Sequence, residues 1–233
     1  EGTNVLCRIA TEYNIKRIVF FSSVAVYGIR DEVTNEKSEP SPDSPYGASK
    51  LAGEKVLTDW ALDDPERRVL IIRPTVVYGA NNLANMFNLI RQIESGYYFH
   101  LGKASVVKSI AYVENVVQAT LWLSGKMKKG IQIYNYSDEP QLTTRQIAEY
   151  IAQFLDRKIR FTLPAGLGPV FGYPFDLAIK ITGKNLPISS ARIKKLGTQT
   201  FHSAEKIFSE GFEPQYTTIE GLERMVAWYK SIK

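Results

Sequence analysis

Tyr46 and Lys50 stand four residues apart in Tyr46-Gly47-Ala48-Ser49-Lys50. On a helix, residues at that spacing share one face, so a phenol and an ammonium can point into one site. A cation beside a phenol stabilises the phenolate, and such a phenol can exchange a proton with an alcohol near neutral pH. The spacing alone is a weak signal, because it also describes an ordinary surface pair. A second stretch, Ser22-Ser23-Val24-Ala25-Val26-Tyr27-Gly28, follows the apolar run Ile18-Val19-Phe20-Phe21. That run reads as a buried parallel strand, and the serines then lie at its carboxyl end, where open α/β sheets bind ligands. A serine there can hydrogen-bond the oxygen that the phenol protonates or deprotonates. A third stretch, Arg73-Pro74-Thr75-Val76-Val77-Tyr78-Gly79, closes the next apolar run.

These residues need elements to position them. Residues 2–13 carry apolar positions at helical spacing, and residues 16–22 read as a strand. Residues 29–43 are polar and contain Pro40 and Pro42, which predicts a loop. Ser44 is placed to cap a helix that starts at Pro45 and runs to Leu62, since proline costs nothing in the first turn. The patterns further predict a strand at 68–77, helices at 83–95 and 113–124, a strand at 131–136, a helix from Thr143 or Thr144 to Leu155, and a last helix at 218–232. Strands alternating with helices indicate a parallel sheet covered on its faces. We expect an α/β, Rossmann-like doubly wound domain over residues 1–155, with 80–125 contributing to the substrate site. A smaller lobe is expected over 156–233.

Composition narrows the function classes. Hydrophobic residues make up 44% and charged residues 23% of the 233, as in an ordinary globular protein. The single cysteine, Cys7, excludes a disulfide framework and suits a reducing, cytoplasmic compartment. His100 and His202 lie far apart, so no metal-ligand cluster is read and both are expected to be structural. No Gly-x-Ser-x-Gly elbow surrounds Ser23 or Ser49, which argues against hydrolase chemistry. The net charge of +5 suits an anionic small molecule, and its spread along the chain does not argue for nucleic acid. Residues 161–182 are apolar but broken by prolines and glycines, so no membrane span is expected there. A buried or lid-forming segment is the expectation, with shallow membrane-surface contact as the alternative.

Taken in order, the three stretches resemble the extended short-chain dehydrogenase/reductase superfamily, in its NAD-dependent nucleotide-sugar epimerase/dehydratase branch. Lys108-Ser109-Ile110-Ala111-Tyr112-Val113-Glu114-Asn115-Val116 is similar to a segment lining the sugar-nucleotide site there, and Gly211-Phe212-Glu213-Pro214 before the last helix also matches. The resemblance implies Tyr46 as general acid/base and Lys50 as the residue that tunes it and binds the nicotinamide ribose of NAD or NADP. It implies Ser23 as the group holding the reacting hydroxyl, with Ser22 and the backbone after Pro74 beside the nicotinamide. Val24, Lys108 and Arg192 are the expected substrate contacts, and the net positive charge leads us to expect Lys108 or Arg192 to meet a diphosphate. Val24 and Ala25 stand where family dehydratases carry Asp-Glu, which favours an epimerase or reductase. Many epimerases have Asn where Val76 stands, and many relatives have Arg where Lys108 stands. The Gly-rich dinucleotide fingerprint of the family does not occur in this sequence, so a fragment or truncated product is expected, and weak NAD(P) binding by the chain alone. The resemblance also implies a homodimer. A hydroxysteroid-type alcohol dehydrogenase of the same superfamily and a non-catalytic relative are the competing readings.

Overall fold

The structure is a computed structural model, and it describes residues 1–164 and 200–233. Two compact units are assembled from interleaved segments. The first contains 1–77, 109–141 and 201–218. Its centre is a parallel three-stranded sheet in the order β1 (Arg17–Phe21), β2 (Arg68–Pro74), β7 (Gly130–Tyr136). β2 lies in the middle and is buried almost throughout, as an uninterrupted apolar run in a parallel sheet should be.

The alternation of side chains along β2 feeds two cores. Val69 and Ile71 join Cys7 and Ala10 of α1 (Gly2–Glu12) and Leu57, Trp60 and Ala61 of α2 (Pro45–Leu62). Leu70 and Ile72 face the other way, onto Val116, Ala119 and Leu123 of α4 (Val113–Gly125) and Ile207 of α6 (Glu205–Ser209). The result is helix, sheet, helix, the layering of a doubly wound α/β domain. The outer edge of β7 is engaged by side chains. The Lys206 ammonium donates to the Ile133 carbonyl at 2.6 Å, and the Asn135 N–H donates to Glu36 at 2.8 Å. Charged groups on an edge discourage further strand pairing.

The second unit comprises 78–108, 142–200 and 219–233. Among its described residues, α3 (Asn85–Glu94) packs on α5 (Thr144–Phe154), with Ile90 and Ile151 fully buried. Short strands join it: β4 (His100–Leu101) pairs in parallel with β9 (Thr162–Leu163), and β5 (Val107–Lys108) pairs antiparallel with β8 (Leu142–Thr143). Phe87 lies edge-on to Tyr229 of α7 (Thr218–Ser231) at 5.3 Å between centroids. His100 is buried, and desolvation lowers its pKa, so it sits in the unit as a neutral ring.

Sequence patterning located the long elements to within a few residues. It joined β2 to β3 (Val76–Tyr78), which the structure separates at Thr75. It did not show the 3₁₀ turn Val24–Tyr27, the two- and three-residue strands, or α6. Such elements are too short to display a period. Most of the apolar stretch 161–182 lies outside the described residues. Among those described, no helix is long and apolar enough to cross a membrane, and no group of His, Cys, Asp and Glu could hold a metal ion.

Candidate active site

α2 begins where the sequence placed it. The Ser44 hydroxyl accepts the Gly47 N–H at 3.2 Å, and Pro45 occupies the first turn. Four residues on from Tyr46, the Lys50 ammonium donates to the carbonyl of Phe21, the last residue of β1, at 2.9 Å. It also stands 5.7 Å from the centre of the Tyr46 ring and 5.4 Å from that of Phe20. Phenol and ammonium therefore share one face of α2, and the ammonium is pinned to the carboxyl end of β1. Tyr46 is 57% exposed, so its hydroxyl is open to a ligand.

Beyond Phe21 the chain turns sharply. The Ser22 N–H still extends the sheet ladder, donating to the Ile72 carbonyl at 2.8 Å. The Ser23 hydroxyl accepts the Ala25 N–H at 3.2 Å and so caps the 3₁₀ turn. That bond uses a lone pair and leaves the Ser23 hydroxyl proton available to a substrate oxygen. Val24 is half-buried inside the turn. Helix and turn meet without intervening side chain: a Cβ on Gly47 would lie 2.3 Å from the Ala25 carbonyl oxygen. Glycine at 47 is thus what allows the first turn of α2, with Tyr46, to lie against the serine turn.

Two buried hydroxyls stand out at this end of the sheet. Ser22 Oγ follows β1, and Thr75 Oγ1 follows Pro74 at the end of β2. Both are buried, and neither has a hydrogen-bond partner among the described residues. A buried unpaired hydroxyl costs about 1–3 kcal/mol, so both are poised to bond a ligand.

Patterning missed the frame beneath these groups. Glu54, one turn beyond Lys50, forms a two-point ion pair with Arg73 of β2, at 2.6 and 2.9 Å. Arg73 also donates to the Tyr27 hydroxyl at 2.7 Å, and Tyr27 donates to Asn135 of β7 at 2.9 Å. Burial alone would lower the Arg73 pKa. Its bonds and charges with Glu54 and Tyr27 outweigh that, and it titrates above its ordinary value. Burial pushes the Tyr27 phenol up, against the opposing Arg73 charge. One network therefore joins α2, the serine turn, β2 and β7. A charged pair inside apolar runs was the available signal, but nothing in sequence spacing links residue 54 to residue 73.

His202 closes the network from the other side. Its Nδ1 lies 2.6 Å from Thr34 Oγ1, and its ring stacks on Tyr27 at 6.1 Å. Desolvation pushes its pKa down to about 4, so it is a neutral structural ring at pH 7. Lys108 lies half-buried in β5 of the second unit, and Arg192 lies outside the described residues.

Comparison with known proteins identifies the family. Residues 1–137 match the family described as the NAD dependent epimerase/dehydratase family. Over 230 residues the chain is 38% identical to an N-acetyl-alpha-D-glucosaminyl-diphospho-ditrans,octacis-undecaprenol 4-epimerase of Escherichia coli O157:H7, covering 98% of this chain and 70% of that one. It is 28% identical to a UDP-glucose 4-epimerase of Vibrio cholerae, covering 96% of this chain and 66% of the relative. Among solved structures, the UDP-glucuronic acid 4-epimerase of Bacillus cereus, in complex with NAD, superposes with a TM-score of 0.74 at 18% identity, over 99% of this chain and 66% of that one. The chain thus spans about two thirds of the length of these relatives. With the parallel sheet, the helix layers and the family match in hand, the chain belongs to the NAD dependent epimerase/dehydratase family.

Proposed function

We propose that the protein is an NAD-dependent epimerase that inverts a hydroxyl-bearing carbon of a sugar held on a diphosphate, in the first place a nucleotide sugar. The observation that carries this reading is the Tyr46–Lys50 pair, with its ammonium fixed to the carboxyl end of β1. In the reaction, Tyr46 takes the proton of the sugar hydroxyl and later returns it. Lys50 keeps its ammonium on the same face of the helix, 5.7 Å from the centre of the Tyr46 ring. Ser23 donates to the reacting oxygen and holds it in line with Tyr46.

The residues present fit the cofactor. The orphan hydroxyls of Ser22 and Thr75 offer hydrogen bonds beside Pro74, and Lys50, at the carboxyl end of β1, is proposed for the ribose. Bound there, NAD would supply reversible hydride transfer at that carbon. Val24 and Ala25 supply no carboxyl group for eliminating water, which supports epimerase or reductase chemistry over dehydration. Lys108 and Arg192 are proposed for the diphosphate. We place the enzyme in the cytoplasm, where the free, buried thiol of Cys7 stays reduced. We also propose a homodimer through α1 and α2, because Val5, Leu6 and Ile9 of α1 are exposed. A monomer by light scattering of the intact protein at high concentration would contradict the dimer.

A second reading concerns the carrier. The 38% identical relative acts, by its name, on a sugar carried by undecaprenyl diphosphate. A lipid diphosphate is therefore the alternative to a nucleotide. The test is to incubate the intact protein with UDP-glucose, UDP-N-acetylglucosamine and a polyprenyl-diphospho-N-acetylglucosamine, and to follow sugar configuration by NMR. Inversion of one of them is expected. Oxidation of a sterol with no change in any diphosphate sugar would overturn the reading.

A further inference from the structure

The ion pair of Glu54 and Arg73 is buried on both sides, at 4% and 3% exposure. Stability does not account for such a pair, because well-packed apolar residues in the same place serve as well or better. What apolar residues lack is direction. A guanidinium is a rigid plane whose donors leave at fixed angles. Here Nε and Nη2 meet the two carboxylate oxygens of Glu54, and Nη1 meets the Tyr27 hydroxyl. The Arg73 plane therefore fixes Glu54 and Tyr27 relative to each other and to β2.

Each of the three residues belongs to an element that carries groups of the candidate site. Glu54 lies about one turn beyond Lys50 and two beyond Tyr46 on α2. Tyr27 ends the 3₁₀ turn that Ser23 caps. Arg73 immediately precedes Pro74 and Thr75, whose hydroxyl is an orphan. The close approach of Gly47 to the Ala25 carbonyl limits how near α2 and the turn can come, but a single contact sets no angle between them. The bonds to Arg73 supply that angle. Tyr27 is fully buried and braced from its far side, where its hydroxyl donates to Asn135 and its ring stacks on His202.

We propose that Arg73 and Tyr27 are positioning residues: the guanidinium–phenol bond holds the serine turn at the angle to α2 that lets Ser23 and Tyr46 meet one substrate oxygen. Both are buried and act only through the groups they align. The inference rests on the acid/base role proposed for Tyr46 and extends it to residues beneath the site. Loss of the bond leaves the binding groups present but misaligned, so the cost falls on kcat and not on KM.

The test compares three variants of the intact protein by steady-state kinetics on the diphosphate sugar that the parent inverts, by urea denaturation and by amide hydrogen exchange. Glu54→Leu/Arg73→Leu puts an apolar pair in place of the ion pair and removes the donor to Tyr27. Its kcat should fall roughly 10²-fold, with the sugar KM within a few-fold and stability near that of the parent. Tyr27→Phe keeps the ion pair and cuts the same bond from the other side, so its kcat should fall in the same way. Tyr134→Phe is the control. Tyr134 faces the other side of β7 from Asn135 and bonds Glu210, so this variant should lose stability and keep its kcat. Exchange at the Ala25 and Gly47 amides reads the alignment with no substrate present, since these N–H groups bond Ser23 and Ser44. It should quicken in the first two variants and not in the control. Parent-level kcat in either of the first two variants, or unchanged exchange at both amides, would overturn the proposal. So would a kcat loss in Tyr134→Phe equal to that in Tyr27→Phe. Quickened exchange in a protein whose parent inverts no diphosphate sugar would support the alignment and refute the epimerase reading instead.

Discussion

Each residue of the candidate site has a separate proposed job, and substitutions can tell them apart. Tyr46→Phe removes only the phenol oxygen proposed to transfer the proton. In the intact enzyme it should lower kcat by roughly 10²–10⁴ while leaving substrate affinity within a few-fold. Steady-state kinetics alongside calorimetry checks this, and near-normal turnover would refute the role. The frame below behaves differently. Arg73→Leu leaves the Glu54 carboxylate buried without its partner, at a cost of about 3–5 kcal/mol in stability. Glu54→Leu/Arg73→Leu should recover much of that loss, because an apolar pair in a buried site can match an ion pair. Urea denaturation of the single and double variants measures both. The placement of Tyr46, Lys50 and Ser23 was legible in the sequence because it is local: a helix spacing and a strand end. Glu54 and Arg73 were not, since their contact exists only once β2 and α2 are packed.

At the scale of elements, the join between α2 and the serine turn is the most constrained. Alanine is a better helix former than glycine by roughly 0.5–1 kcal/mol, so Gly47→Ala would stabilise an unobstructed helix. Here the added methyl meets the Ala25 carbonyl at 2.3 Å, and the helix start must shift. The expected outcome is a less stable protein whose turnover falls roughly 10²-fold, the scale of an ångström's misplacement of a reacting group. Thermal melting and kcat decide the point, and a rise in Tm would sink it. Far from the site, Thr143 and Gln146 form a reciprocal cap at the start of α5, so Thr143→Ala should cost about 1 kcal/mol with kcat unchanged. Long helices and buried strands were readable because period and capping residues are written into consecutive positions. The 3₁₀ turn and α6 are fixed by distant partners, such as the packing of Ile207 among α4 and β7 residues.

For the molecule as a whole, His202 links stability to pH. Its folded pKa is pushed down to about 4 from an ordinary value of 6.5. The unfolded chain therefore binds more protons between those values. The contribution is complete above pH 6.5 and is lost as pH falls toward 4, amounting to about 3 kcal/mol. Denaturation curves at pH 7 and pH 4.5 should show a smaller difference for His202→Gln than for the parent protein.

The central position of β2 has a last consequence, one of heredity. This strand holds its neighbours in register on both sides, Ile71 opposite Phe20 and Ile133 alike. Successive residues serve opposite cores, and Arg73 must arrive beside Glu54. Gain or loss of a single codon between Arg68 and Arg73 would exchange the two cores' side chains and carry the guanidinium to the wrong face. Loops such as 29–43 can tolerate changes of length. Across β2, lineages of this gene are expected to vary by substitution alone, with the strand's length held constant.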